Sequence, residues 1–292
     1  MGNSNSIINL GDLAKPATVL VEKISDAIGG IFKPYQIRRI AQAEGEAEKI
    51  RAAAQIEVTD LQRRAMFRFI AEEAKKQDNI ETITRKALPD IKADAHPEGI
   101  ENDWITNFFD KCRLISDEEM QSLWARILAG EANSPGSFSR MTIGLVGSLD
   151  KSDAVLFSNL CSFAFLINGQ LTPLIYDSEA KIYQDHGLHF DTLHDLASTG
   201  LIGLEGGGYV EPGMLQSSVL YYFGQAVWIG FPMACDNELR TGHVLFTKGG
   251  RELAPLSGAQ PREGFVEYVR ERWKGFGYNV DQAAKQATAA EK

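Results

Sequence analysis

The chain has 292 residues, 44% hydrophobic and 24% charged, which are the proportions of an ordinary globular protein long enough for two domains. Its net charge of −9 argues against a general affinity for nucleic acid. Three cysteines, Cys112, Cys161 and Cys235, lie far apart and form no CxxC pair, which excludes a disulfide framework or a zinc ribbon and suits a reducing cytosol.

Within the N-terminal amphipathic segment 1–33, residues 1–16 contain neither a basic n-region nor an apolar h-region, so no secretory signal is expected. Gly2 and Ser6 fit the loose N-myristoylation pattern, a short match that chance often produces. The most apolar stretch, residues 13–32, is interrupted by Lys15, Glu22, Lys23 and Asp26 and is too charged to span a bilayer. Leu13, Ala17, Leu20, Ile24 and Ile28 recur at helical spacing and predict an amphipathic helix docked on its own core. Its polar face lacks the basic character of an interfacial helix, which leaves peripheral membrane contact as the weaker alternative.

From Pro34 to residue 89 the chain is rich in Ala, Glu, Gln, Lys and Arg, with Gly45 as its one glycine. That composition predicts one helix of about 50 residues, ended by Pro89. Glu48 with Arg51, Asp60 with Arg64, and Glu72 with Lys76 stand at ion-pair spacing. The apolar seam runs through Ile40, Ala43, Ala47, Ile50, Ala54, Val58, Leu61, Ala65 and Phe69, with an eleven-residue recurrence after Ala47 that implies a straight or slightly right-handed seam. A lone helix of this length cannot bury such a stripe, so it must pack on its own chain or on another subunit. The segment 39–57 also resembles, in composition only, the coiled coils of the flotillin and prohibitin group. Arg63, Arg64, Arg68, Lys75 and Lys76 make the helix locally basic, but Asp60, Glu72 and Glu73 dilute the charge toward an ordinary solvated face.

Residues 90–168 read as a bundle of short helices. Trp104, Phe108 and Phe109 form an aromatic face. Ser116 with Glu119 has capping-box spacing before a buried stripe of Met120, Leu123, Trp124, Ile127 and Leu128. A further helix is expected from Phe138 to Leu149, and Asp150 caps one bearing Val155, Leu156, Leu160 and Phe163. The Leu123-Trp124 pair, the Asn133-Ser134-Pro135-Gly136 turn, Ser137-Phe138-Ser139 and Asp153-Ala154 together resemble the bacterial family called domain of unknown function 2806, over roughly residues 10–260. The helical pattern is also similar to the Abi-alpha group, whose name implies a link to abortive infection of phage-infected bacteria. Neither resemblance implies a catalytic residue.

Residues 169–260 turn β-rich and glycine-rich. A helix at 190–199 ending in Gly-Leu-Ile, followed by paired strands and Lys248-Gly249-Gly250, reads as a winged-helix-like domain with that glycine pair as the turn into a helix near Arg251. The 190–199 helix carries Asp191 and Asp195 and no Lys or Arg, which disfavours phosphate contact. His186, His189 and His194, interspersed with Asp185, Asp191 and Asp195, are the sharpest metal candidate, but their spacing matches no zinc signature; ordinary turn and capping histidines are the better account. The glycines at 206–208 do not form a P-loop, and no GxSxG is present. A C-terminal helix is expected at 261–280 and a polar tail at 281–292.

The expected fold is α+β and mainly α: a long N-terminal helix and a short-helix bundle followed by a small winged-helix-like α/β domain. The expected protein is a cytoplasmic, bacterial, non-enzymatic interaction or assembly protein, with phage defence as its setting and the long helix as its self-association or partner surface. A winged-helix nucleic-acid-binding regulator is the alternative, and an enzyme with a dispersed active site is the second alternative. No catalytic, cofactor-binding or metal residue is assigned, and no cofactor is expected.

Overall fold

The computed structural model describes residues 13–29 and 59–280, and the chain divides into two compact units, Met1–Gly147 and Ser148–Lys292. The fold is mainly α, in the α+β class: the first unit is helical, and small antiparallel sheets occur in the second.

The first unit opens with α1 (Lys15–Ile28), which has Pro16 in its first turn and stops at Gly29, whose N–H bonds the Ser25 carbonyl. Ala17, Leu20, Val21 and Ile24 are buried where α1 packs on α3 (Asn102–Cys112). The apolar stripe read from the sequence is therefore consumed by the unit's own core. Lys23 tethers the helix further, its Nζ donating to the carbonyls of Glu98 and Ile100.

The long helix α2 spans Asp60–Ala87. Thr59 is extended at ψ 154 and closes a capping box with Gln62: the Gln62 N–H donates to Thr59 Oγ1, and the Thr59 N–H donates to Gln62 Oε1 at 3.0 Å. The helix thus begins at Asp60, and the continuous rod of about 50 residues expected from composition is interrupted here. Ile40 to Val58 of the expected seam, and the Glu48–Arg51 pair, lie outside the described residues, as does Gly2. The C-terminal half of α2 packs on α4 (Glu118–Asn133), burying Ile83, Thr84 and Ala87. Asn79 stitches the contact: its Nδ2 donates to the Arg113 carbonyl at 2.8 Å, and its Oδ1 accepts from Gln121 Nε2 at 3.2 Å.

Asp117, rather than Ser116, caps α4, its carboxylate accepting from the N–H groups of Glu119 and Met120. The core here is aromatic: the Phe108 ring lies 5.1 Å from Trp104, 5.0 Å from Phe109 and 5.1 Å from Trp124. The helix expected over Phe138–Leu149 is shorter, α5 (Arg140–Val146), because Ser139 caps it from the Thr142 N–H.

In the second unit α6 (Lys151–Cys161) starts at Asp150, whose N–H donates to Asp153. Phe157 and Leu160 are buried, whereas Val155, expected in the apolar stripe, is exposed. A four-stranded antiparallel sheet, in the order β2-β1-β4-β5, contains β1 (Ala164–Ile167), β2 (Gln170–Pro173), β4 (Ser217–Tyr222) and β5 (Gln225–Gly230). Helices α7 (Lys181–Gln184) and α8 (Phe190–Ser198) lead into β3 (Ile202–Met214), which pairs antiparallel with β6 (Asn237–Phe246) as a separate ribbon. Ile175, just after β2, bridges this ribbon at Gly242, its carbonyl accepting the His243 N–H at 2.8 Å.

Helix α9 (Lys248–Leu253) follows β6 directly. Lys248-Gly249-Gly250 is its first turn and not a linker: Thr247 is the cap, accepting from the Gly250 N–H at 3.1 Å. A Cβ on Gly250 would fall 2.1 Å from the Leu201 carbonyl oxygen, so close backbone approach explains that glycine. Helix α10 (Phe265–Gly275) closes the unit over Phe163, Phe165, Tyr183 and Tyr222, a cluster of interlocking rings. Its Trp273 Nε1 donates to Tyr176 Oη at 2.8 Å.

Candidate functional site

The feature that the fold leaves unsatisfied is the first half of α2. Every residue from Thr59 to Lys75 is exposed. Among them are large apolar side chains: Leu61 is 68% exposed, Met66 63%, Phe69 63% and Ile70 58%. At 100° per residue Leu61, Ala65 and Phe69 form one row, with Met66 and Ile70 beside it, and together they cover about half the helix circumference. The seam read from the sequence contained the first row and missed the second. The Met66/Ile70 spacing of four was the available signal, but the strict three–four stepping of the seam passed over it.

The opposite side carries Arg63, Arg64 and Arg68 together with Phe67, itself 68% exposed. Arg64 pairs with Asp60 at 3.1 Å and Arg68 with Glu72 at 3.6 Å. Lys76 turns to Glu73 at 2.6 Å, not to Glu72 as its spacing suggested. These pairs are solvent-exposed and each contributes at most about 1 kcal/mol. They hold the helix together without covering its apolar side.

The histidines do not converge. His189 stands at the N-cap of α8, its N–H donating to Thr192 Oγ1 at 2.9 Å, and the His194 ring lies 4.4 Å from Phe190. His186 packs near Phe163, and its carbonyl accepts from Asn159. Burial, with a smaller push from Arg262, holds the His186 pKa below the usual imidazole value against the opposing pull of Asp185. Among the described residues no group of three or more His, Cys, Asp or Glu side chains is arranged to hold a metal ion.

Cys112 and Cys161 are buried, and burial pushes the Cys161 thiol up to about 12 despite a hydrogen bond with Ser257. Neither thiol is a nucleophile at neutral pH.

The stretch 131–139 is structural. Buried Glu131 accepts from the N–H groups of Gly136 and Phe138. Asn133 donates from Nδ2 to the Asp90 carbonyl at 3.0 Å and accepts from the Lys92 N–H at 2.8 Å. The Phe138 carbonyl accepts from Trp104 Nε1 at 2.7 Å. These hydrogen bonds join α4, α5 and the preceding loop.

The architecture defines a mainly helical α+β protein whose exposed apolar helix face, rather than a convergent polar cluster, is its candidate site. The chain belongs to the family described as "Protein of unknown function (DUF2806)", whose model matches residues 63–270. Neither the curated proteins nor the solved structures contain a significant match to it. No described helix is long and apolar enough to cross a membrane.

Proposed function

We propose that this is an assembly protein that pairs with a second copy of itself through residues 60–76 of α2. The supporting observation is the exposure of Leu61, Met66, Phe69 and Ile70, each more than half exposed on one helix. Covering them would contribute on the order of 1–2 kcal/mol per side chain.

Light scattering after size exclusion tests this reading. The chain should elute at twice 32.2 kDa, and Leu61→Glu with Phe69→Glu should halve that mass without changing the circular dichroism spectrum. A wild-type monomer, or a dimer indifferent to both substitutions, would overturn it. The former result would mean that residues of the same chain cover the helix. We extend the proposal to a setting in abortive infection, on the resemblance of the helical sequence pattern to the Abi-alpha group. Expression in a phage-challenged host should therefore lower plaque counts, and the monomeric variant should lose that effect.

The second reading, a winged-helix-like unit that touches nucleic acid, rests on the order α6, α7, α8, β3, β6. Helix α8 packs on both α6 and β3 ahead of the long ribbon. Asp191 and Asp195 on α8 weigh against phosphate contact, so we favour protein binding for this unit. Duplex DNA anisotropy that rises at low salt and collapses at moderate salt would reverse that preference.

A further inference from the structure

A groove of about 770 Å³ opens on the face of the four-stranded sheet. Its lining includes Cys161, Leu166, Leu171 and Tyr221, with Phe223, Arg251 and Pro255. Leu166 and Tyr221 are register partners on β1 and β4, and both keep more than a third of their surface in solvent. The volume falls in the range of small-molecule sites, and the lining is mostly apolar with few polar groups, as in such sites.

Two features distinguish the groove from an ordinary surface dent. The β4–β5 hairpin turns through Phe223 and Gly224, both in the left-handed region at φ 45 and φ 84. Such two-residue turns prefer Asn or Asp at the first position, yet here a phenylalanine adopts it and presents a ring 47% exposed beside the groove. Arg251 is the second feature. It is the one charged residue in the lining, and no carboxylate is among its neighbours there. Its Nη1 donates to the Phe246 carbonyl at 3.0 Å, which steadies the guanidinium, and among the described residues it forms no ion pair. The adjacent carboxylate, Glu252, is paired with Lys248.

We propose that this groove binds a single-chain amphiphile with one carboxylate, its head on Arg251 and its apolar chain along Leu166, Tyr221 and Phe223. A fixed guanidinium beside an apolar lining suits that combination of charge and shape. Addition of a peptide strand at the same place is disfavoured, because the edge strand β2 has four residues and ends in Pro173, which has no N–H to donate.

Calorimetry on the full chain at low salt, with decanoate and decan-1-ol as probes below their aggregation limits, tests the proposal. Decanoate should saturate at one per chain and bind about tenfold tighter than the alcohol. Arg251→Gln should remove that advantage while leaving the alcohol unchanged, and Arg251→Lys should restore part of it. Absence of saturable decanoate binding, or equal binding by wild type and Arg251→Gln, would overturn it. If Arg251→Gln does not fold, equal affinity of the wild-type chain for acid and alcohol has the same force. Sedimentation with phosphatidylglycerol vesicles by a chain that ignores free decanoate would also overturn it, by identifying the site as a lipid-surface contact.

Discussion

Glu131 and Phe138 are locked together across the turn between α4 and α5: the Glu131 carboxylate, 2% exposed, accepts the Phe138 N–H at 3.0 Å. Its other oxygen takes the Gly136 N–H at 2.7 Å. Glu131→Ala would leave both donors without that partner and should cost about 2–4 kcal/mol. Scanning calorimetry should show a fall of several degrees in Tm for Glu131→Ala and a smaller one for Glu131→Gln, which keeps one acceptor. Unchanged melting of the alanine variant would remove the structural account of the turn at 131–139.

The Ile175–Gly242 bridge permits no side chain at position 242. Gly242 sits at φ +98, and a Cβ there would lie 2.0 Å from the Ile175 carbonyl oxygen. Gly242→Ala should therefore destabilise the second unit by more than about 3 kcal/mol or prevent soluble expression. Gly206→Ala is the contrast: a Cβ there meets nothing within 4 Å, and the change should stay within about 0.5 kcal/mol in urea titration.

Thiol chemistry should follow burial. Of Cys112, Cys161 and Cys235, the last alone is exposed. In the native chain one thiol should react promptly with Ellman's reagent, and the other two should react only in denaturant. Prompt reaction of Cys161 would mean that the sheet-face groove opens to that residue in solution.

His186 gives the second unit an acid-sensitive contact. Its pKa is lowered in the fold, first by burial and then by Arg262, so above the unfolded imidazole value near 6.5 it is neutral in both states. As pH falls below that value the unfolded chain takes up the proton first, and stability is lost down to the folded pKa. Melting temperature should decline over this window, and His186→Gln should flatten the decline. An unaltered slope would assign it to other groups.

Local physics carried much of this fold into view from the chain alone. The apolar spacing of Ala17, Leu20 and Ile24, the Asp150 cap and the Trp104–Phe108–Phe109 face each depend on neighbours within a few residues, and each occurs as an element or a buried row. Thr59-x-x-Gln62 was equally local, but composition over 50 residues outweighed one capping box, and the helix start was missed. The turn at 133–139 was legible in the sequence, while its reason, Glu131 reaching two backbone donors, lay in the fold.

Tertiary structure decided what no window of sequence contains. Which half of α2 is buried depends on whether α4 lies against it, so Leu61 and Ile83 share one periodic helix but not one fate. The groove gathers Cys161, Leu166, Leu171, Tyr221, Phe223 and Arg251 from segments up to 90 positions apart. Helix periods and caps are set by bonds that close within one or two turns, whereas a concave surface exists only after distant strands and loops have been brought together.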